Sequence, residues 1–249
     1  MSGRPTEPIE VPAGVVAVLV GLTDGPVDVG ALEAVWVNGV GGQTFRADDL
    51  YVKWAPAGTD QDLEAEAVRL AWASRWTPVP EVVGHGADET GQWLVTRAMP
   101  GRNAVDPVWV ARPAQAAREL GVALRALHDA LPVAECPFDW GVPARLARAG
   151  VPAEAGAALV GPVPRVARLV VCHGDACAPN TLLADDGTWT GHLDLGALGV
   201  ADLWADLAII AWSTEWNYGP GFEDDVYAGY GIEPDPERIA FYRRLWNAT

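Results

Sequence analysis

The sequence predicts an α+β fold in two lobes: a small lobe built on an antiparallel sheet over residues 1–99, and a larger, mainly helical lobe over 100–249. Three observations carry the prediction. Short strand-like runs separated by turn residues recur through the first hundred positions, at Ala34–Asn38, Thr44–Arg46, Leu50–Trp54, Glu81–Gly84 and Trp93–Thr96. From Gln115 to His128 the apolar residues fall at helical spacing, with Leu120, Leu124 and Leu127 facing inward. Between them and the C-terminus, Thr181–Ala184 and Thr188–Leu193 flank Asp186-Gly187, a strong hairpin-turn dipeptide.

In chain order, Val11–Leu22 is an apolar run too short to span a bilayer, preceded by Glu7 and Glu10 where a secretory leader would be basic, and it reads as a buried element of the first lobe. Gly39-Val40-Gly41-Gly42-Gln43 makes a tight strand–loop–strand turn of the kind that brings backbone N–H groups to phosphates. No Gly-Lys-Ser/Thr follows, so it is not a Walker A loop. Lys53, in the next strand, is the only lysine among seventeen basic residues. In a chain this biased toward arginine, a surviving lysine points to a need for a compact ammonium that a planar guanidinium cannot replace. A helix follows from near Asp60, with Leu63, Ala67, Leu70 and Ala71 on one face and Glu64 and Glu66 as candidate partners of Lys53. Pro78-Val79-Pro80 ends that element, and Arg97-Ala98-Met99-Pro100-Gly101 is the expected hinge between lobes.

The stretch from Val171 to Asp206 holds the chemistry. Transfer of the γ-phosphoryl group of a nucleotide requires an oriented hydroxyl and neutralised phosphate charge, which calls for oxygen-bearing side chains on Mg²⁺ and near the nucleophile. Asp175 and Asn180 are five apart, the spacing of the Asp and Asn in a kinase catalytic loop, and Pro179 keeps the segment a shaped loop. The hairpin then delivers Asp194-Leu195-Gly196, where a kinase has its metal-binding Asp-Phe-Gly with a glycine that lets the backbone turn. Taken singly, Asp175 and Asn180 would be ordinary loop formers; the ordered set with a hairpin between is not ordinary.

HGDACAPN, followed by HLDLG and VADLWADLA, resembles the aminoglycoside phosphotransferases, kinase-like antibiotic-resistance enzymes whose catalytic loop reads H-G-D-x-C-x-P-N. The likeness is dense from about Val170 to Ala208, thinner from Leu50 onward, and includes Cys136-Pro137-Phe138-Asp139 and the tail RIAFYRRL. It implies a two-lobed protein-kinase-like fold with ATP, or alternatively GTP, and Mg²⁺ held between the lobes. Asp175 would orient or deprotonate the acceptor hydroxyl, and Asn180 and Asp194 would bind Mg²⁺. Lys53, Gly41, Gly42, Arg97 and Met99 would bind nucleotide, and alignment favours Glu66 as the partner of Lys53. His173, Asp202 and Asp206 resemble residues that brace the loop. The family's helical insertion is shortened to the Ala- and Arg-rich Ala144–Arg168. Ala197 stands where many kanamycin- and neomycin-acting members have arginine, and Arg243-Arg244 stand near the end where those members are acidic.

Composition narrows the partners. Half of the 249 residues are hydrophobic and a fifth charged, with net charge −16 and a pI near 4.5. So acidic a chain disfavours nucleic acid and anionic membranes as partners. Glu215, Glu223, Asp224, Asp225, Glu233, Asp235 and Glu237 precede the next base, Arg238, and would steer a polycationic small molecule, with Glu215, Asp224 and Asp225 as acceptor contacts. The aromatic stretch Trp212–Phe222 is read as a loop that closes the core or stacks on sugar rings. An odd count of three cysteines suits a reduced cytoplasmic chain, and Cys172, His173 and Cys177 make no familiar zinc spacing. The reading is a monomeric cytoplasmic enzyme that phosphorylates a 3'- or 3''-type hydroxyl of an aminoglycoside. The alternatives are a kinase of the same fold for a peptide antibiotic, macrolide or metabolite, and a nucleotide-binding regulator without turnover.

Overall fold

The computed structural model describes residues 3, 5, 7–22 and 28–249, which divide into two compact units: Met1–Ser74 with Pro80–Met99, and Arg75–Val79 with Pro100–Thr249. In the first unit a helix, α1 (Ala13–Leu22), precedes β1 (Glu33–Val37), β2 (Gln43–Ala47) and β3 (Leu50–Pro56), then α2 (Leu63–Ala73), β4 (Val82–Ala87) and β5 (Gly91–Arg97). The strands form an antiparallel sheet in the order β1-β2-β3-β5-β4, which puts β3 at its centre. Val15 and Leu19, four apart and so on one helical face, bury themselves against Phe45, Leu50, Val52 and Val95 of the sheet. Val20 and Leu22, off that face, are exposed, so the apolar run is a one-sided helix and not a wholly buried element.

The α2 helix starts later than expected, at Leu63, because the Asp62 carboxylate caps it by accepting the Ala65 N–H at 2.8 Å. Its buried face is Leu63, Glu66, Ala67, Leu70 and Ala73. Ala71 lies a hundred degrees round from Leu70 and is exposed, which corrects its expected inward placement.

The second unit runs β6 (Arg102–Asn103), α3 (Pro107–Val110), α4 (Pro113–Ala130), α5 (Val142–Arg148), α6 (Ala153–Val160) and β7 (Leu169–Cys172). It continues with β8 (Thr181–Leu183), β9 (Trp189–His192), β10 (Gly199–Asp202), α7 (Trp204–Tyr218), α8 (Glu223–Tyr230) and α9 (Pro236–Ala248). β8 and β9 are the predicted hairpin, extended by β6, while β7 pairs with β10. Ala116, Leu120, Leu124 and Leu127 of α4 are fully buried. α4 and α8 approach so closely that a Cβ on Gly121 would lie 2.1 Å from the Val226 carbonyl oxygen, and one on Gly229 would lie 2.0 Å from that of Arg118. Only glycine permits that approach. The aromatic stretch is corrected here: Trp212–Tyr218 is the last half of α7, and the loop begins only at Gly219, whose φ of +91° ends the helix. α7 is buried almost all round, so its sequence lacks the one-sided periodicity that marks a surface helix.

Candidate active site

Each unit carries part of the predicted constellation. In the first, Lys53 lies in β3 with Thr44 of β2 and Leu94 of β5 as its register partners, so its backbone is fixed on both sides. Its ammonium meets Glu66 Oε1 at 2.6 Å, from the buried face of α2. Glu64 points to solvent, because one residue's step round a helix is about 100°. In the β1–β2 turn Gly41 has φ +89°, but the loop's N–H groups are turned inward. Val40 and Gly42 donate to Asn38 Oδ1 at 3.1 and 2.7 Å, and Gly41 donates to the Asn38 carbonyl at 3.3 Å. Arg97 is exposed and ion-paired with Asp49 at 3.1 Å and Glu81 at 3.3 Å; Met99 is half-buried at the end of this unit.

The second unit brings together Asp175, Asn180 and the turn at Asp194. A 3₁₀ turn at Ala178–Asn180 closes the loop, with Cys177 N–H donating to the Asp175 carbonyl at 2.8 Å. The Asn180 amide nitrogen donates to the Asp175 carbonyl at 2.9 Å and to its Oδ2 at 3.2 Å. That fixes the flip of the Asn180 side chain and leaves its Oδ1 as an acceptor. The other oxygen, Asp175 Oδ1, is buried with no hydrogen-bond partner, an orphan acceptor that a substrate hydroxyl would satisfy. Leu193 N–H donates to the Asn180 carbonyl at 2.8 Å, which seats the Asp194 turn beside Asn180. The left-handed residue of that turn is Asp194 itself, φ +60°, and not Gly196, which corrects the expected place of the sharp bend. Asp is among the few side chains that tolerate this region.

Asp206 organises the loop from below. Its carboxylate, 1% exposed, accepts the His173 N–H at 2.6 Å, the Gly174 N–H at 3.0 Å and His128 Nε2–H at 3.0 Å. Burial by itself opposes ionisation, but the hydrogen bond from His128, the electrostatic pull of the nearby His128 and His173 rings, and the Gly174 N–H hold the carboxyl below the usual carboxylate range. His128 reaches on to the Tyr230 hydroxyl at 2.9 Å. Neither His128 nor Ser213, whose Oγ accepts the Ala178 N–H at 2.7 Å, stood out in the sequence. The signal for His128 was a polar residue four beyond Leu124 on an inward apolar face. Asp202 braces a different place, accepting from Ala167 N–H at 2.6 Å and capping α7 through Trp204 N–H at 3.0 Å.

The histidines and thiols at the loop are not free to do chemistry. His173 is buried, and its Nδ1 accepts the Asp175 N–H at 3.3 Å. His192, edge-on to it with ring centroids 5.7 Å apart, donates Nε2–H to the Ala123 carbonyl, and burial pushes its pKa down to about 3. Burial, followed by the nearby Asp175, raises the Cys177 thiol far above its ordinary value, so it is no nucleophile. His128, Cys172 and Asp206 cluster within 4.8 Å, but the Asp206 oxygens are already committed to three donors.

The acidic run divides by role. Glu223 is ion-paired with Arg243, and Asp235 caps α9 and pairs with Arg238 at 2.5 Å. Glu215, in the last turn of α7, and Asp224, in the first of α8, are exposed, while Asp225 is half-buried. Trp216, beside Glu215, is 49% exposed and packs against Trp212 at a tilt of 53° with centroids 4.8 Å apart; Arg243 covers Trp212 at 5.2 Å. Arg244 donates to the Val160 carbonyl at 3.2 Å.

A family model described as the phosphotransferase enzyme family matches residues 26–242. The aminoglycoside 3'-phosphotransferase of Streptomyces fradiae is 39% identical, over 79% of this chain and 84% of that protein. The streptomycin 3''-kinase of Streptomyces griseus is 38% identical, over 85% of this chain and 90% of that protein. Among solved structures, aminoglycoside phosphotransferase APH(3'')-Id of Streptomyces rimosus superposes with a TM-score of 0.75 at 29% identity, covering 96% of this chain and 99% of that one. The same enzyme in complex with ADP and streptomycin gives a TM-score of 0.69 at 27% identity, covering 96% and 99%. The α+β architecture read from the sequence is theirs, and the chain belongs to the phosphotransferase enzyme family.

Proposed function

We propose that this enzyme transfers the γ-phosphoryl group of ATP to a 3'- or 3''-type hydroxyl of an aminoglycoside, and so confers resistance. The observation that carries the mechanism is the buried, unpartnered Oδ1 of Asp175 on a loop held by Asn180, Ser213 and Asp206. That oxygen accepts the acceptor's hydroxyl proton as the hydroxyl oxygen bonds to the γ-phosphorus and the bond to the β,γ-bridging oxygen breaks, releasing ADP. Lys53, held by Glu66, takes the α- and β-phosphates, and Met99 and Arg97 adjoin the adenine. With the Gly42 N–H bound to Asn38, Gly41 and Gly42 serve the nucleotide only if that turn rearranges.

Asn180 Oδ1 and the Asp194 carboxylate are hard oxygen donors on adjoining backbone, a set that fits Mg²⁺ completed by phosphate oxygens and water. Bound there, Mg²⁺ would supply charge neutralisation of the phosphates, with Asn180 and Asp194 holding it. The acceptor's ammonium groups fall to Glu215, Asp224 and Asp225, with Trp216 as a ring platform. The tail arginines do not oppose them, since Arg243 is neutralised by Glu223 and Arg244 is turned to a carbonyl. Three cysteines outside any disulfide, two of them in the catalytic-loop region, support a cytoplasmic site of action, and among the described residues no helix is long and apolar enough to cross a membrane.

ADP release measured over a panel of streptomycin-like, kanamycin-like and non-aminoglycoside acceptors, with ATP and with GTP, tests the reading. Turnover with an aminoglycoside and a fall of about 10²–10⁴-fold in Asp175→Asn, with nucleotide binding kept, is the expected result. Turnover only with another class of hydroxyl compound would replace the acceptor, and an unchanged Asp175→Asn would remove the base.

A further inference from the structure

The turn that carries Asp194 is gripped from a distant helix. Trp140 N–H donates to the Val200 carbonyl at 3.0 Å and Val200 N–H donates to the Phe138 carbonyl at 2.8 Å, so residues 138–140 lie along β10, just past the turn. The fit leaves no room at Gly199, where a Cβ would lie 2.8 Å from the Asp139 carbonyl carbon and 2.9 Å from the Trp140 nitrogen. From this anchored strip α5 departs, with Arg145 and Arg148 three apart and therefore on one face. Both guanidiniums lie over the Trp140 ring, at 5.0 and 5.6 Å. Arg145 is buried, its Nε and one terminal nitrogen have no hydrogen-bond partner, and burial lowers its pKa; its contacts include Trp140, Trp246 and the Thr249 hydroxyl at 3.0 Å. A costly buried guanidinium thus fixes the indole on which Arg148 rests. Arg148 reaches forward and donates to the Gly196 carbonyl at 3.0 Å, inside the Asp194-Leu195-Gly196 turn.

We propose that Arg148, seated on Trp140, is a positioning residue that holds the Asp194 turn in its left-handed conformation and so presets the metal ligand. A non-glycine residue at φ +60° is conformationally disfavoured and persists where its surroundings hold it. The turn's own hydrogen bond, Leu198 N–H to the Leu195 carbonyl at 3.0 Å, lies downstream of Asp194. Arg148 adds a charge-assisted tether to Gly196, inside that turn and two residues from Asp194. The tether stands on this chain's own geometry; the metal consequence rests on the function proposed above.

The test uses Arg148→Ala and Arg148→Lys in the full chain with three readouts. Amide exchange over residues 194–198 in the protein without nucleotide should be faster in Arg148→Ala, which reports the tether whatever the enzyme phosphorylates. Mn²⁺ affinity in the presence of ADP, followed by EPR, should weaken about three- to tenfold, the scale of one hydrogen bond to a charged group once it is discounted for solvent exposure. The Mg²⁺ concentration at half-maximal turnover should rise in parallel with the acceptor KM unchanged, and Arg148→Lys, which keeps one donor, should recover part of each. Unaltered amide exchange would overturn the proposal. So would a loss of kcat beyond about a thousandfold at unchanged Mn²⁺ affinity, which would make Arg148 a direct contact of the transferring group. A wild-type chain that binds neither ADP nor Mn²⁺ would sink the proposed function while leaving the exchange result to judge the tether.

Discussion

Replacing Asp206 by asparagine should unfold the catalytic loop's support with almost no change of shape. The two carboxylate oxygens face backbone donors on separate sides, Oδ2 the His173 N–H and Oδ1 the Gly174 N–H, at 2.6 and 3.0 Å. A carboxamide can flip, but either orientation sets its NH₂ against one of those N–H groups, and a backbone donor has no other tautomer. His128 Nε2–H, at 3.0 Å from Oδ2, adds a third donor. At about 1.5–3 kcal/mol for each hydrogen bond to a charged group, three give roughly 4.5–9 kcal/mol before the cost of burying the charge. That desolvation takes back several kcal/mol, so the net loss is about 3–5 kcal/mol, as for other broken buried pairs. For a chain of this size that corresponds to a fall of about 6–20 °C in the unfolding midpoint. Circular dichroism at neutral pH reads it. Because the folded-state pKa of Asp206 is depressed, its contribution is fully present above the unfolded value near 3.9 and is lost as pH falls through the lower folded value. The gap between wild type and Asp206→Asn should therefore hold from neutral pH down to about pH 4 and close only below it. A midpoint within about 2 °C of wild type at pH 7 would show that the three donors find partners elsewhere and that the carboxylate is not what holds the loop.

Two further substitutions probe the nucleotide and loop geometry. Lys53→Arg keeps the charge but brings a wide, forked donor to a place where an ammonium sits 2.6 Å from Glu66; the ATP KM should rise about tenfold or more, and wild-type kinetics would mean that a guanidinium serves there as well as the lone lysine. Gly174→Ala puts a Cβ 2.2 Å from the Ala197 backbone oxygen at φ +88°, so the loop must move against the Asp194 turn. Its conformational strain alone is about 1–3 kcal/mol, and kcat should fall at least about tenfold in a chain that still folds; a fully active variant would show that the close approach is dispensable.

Local signals in the sequence were enough for the elements that make the site, and failed where partners are remote. The β8–β9 hairpin was legible because Asp186-Gly187 sits between two β-prone runs, and α4 because its leucines fall at helical spacing. α7 was half missed: nearly every face of it is buried, so no periodicity separates helix from loop, and the Gly219-Pro220-Gly221 break drew the boundary too early. Helical spacing could place His128 inward but could not supply Asp206, 78 residues away. The choice between Glu64 and Glu66 turned on the phase of α2, which Asp62 sets by capping. The bend at Asp194 escaped because glycine is the ordinary bearer of positive φ, and the structure instead loads it on Asp194, the proposed metal ligand, whose turn accepts a hydrogen bond from the distant Arg148.

The solitary lysine also makes this protein unusually simple to an amine-seeking reagent. Apart from the α-amino group, Lys53 Nζ is the chain's single primary amine, and 26% of its side chain is accessible. Reductive methylation with isotope-enriched formaldehyde would therefore install one side-chain NMR reporter, located at the Glu66 ion pair, and one resolvable α-amine signal. Its two methyl groups would register directly whether a ligand shields, displaces or reorders that pair, without a radiolabel and without any engineered site.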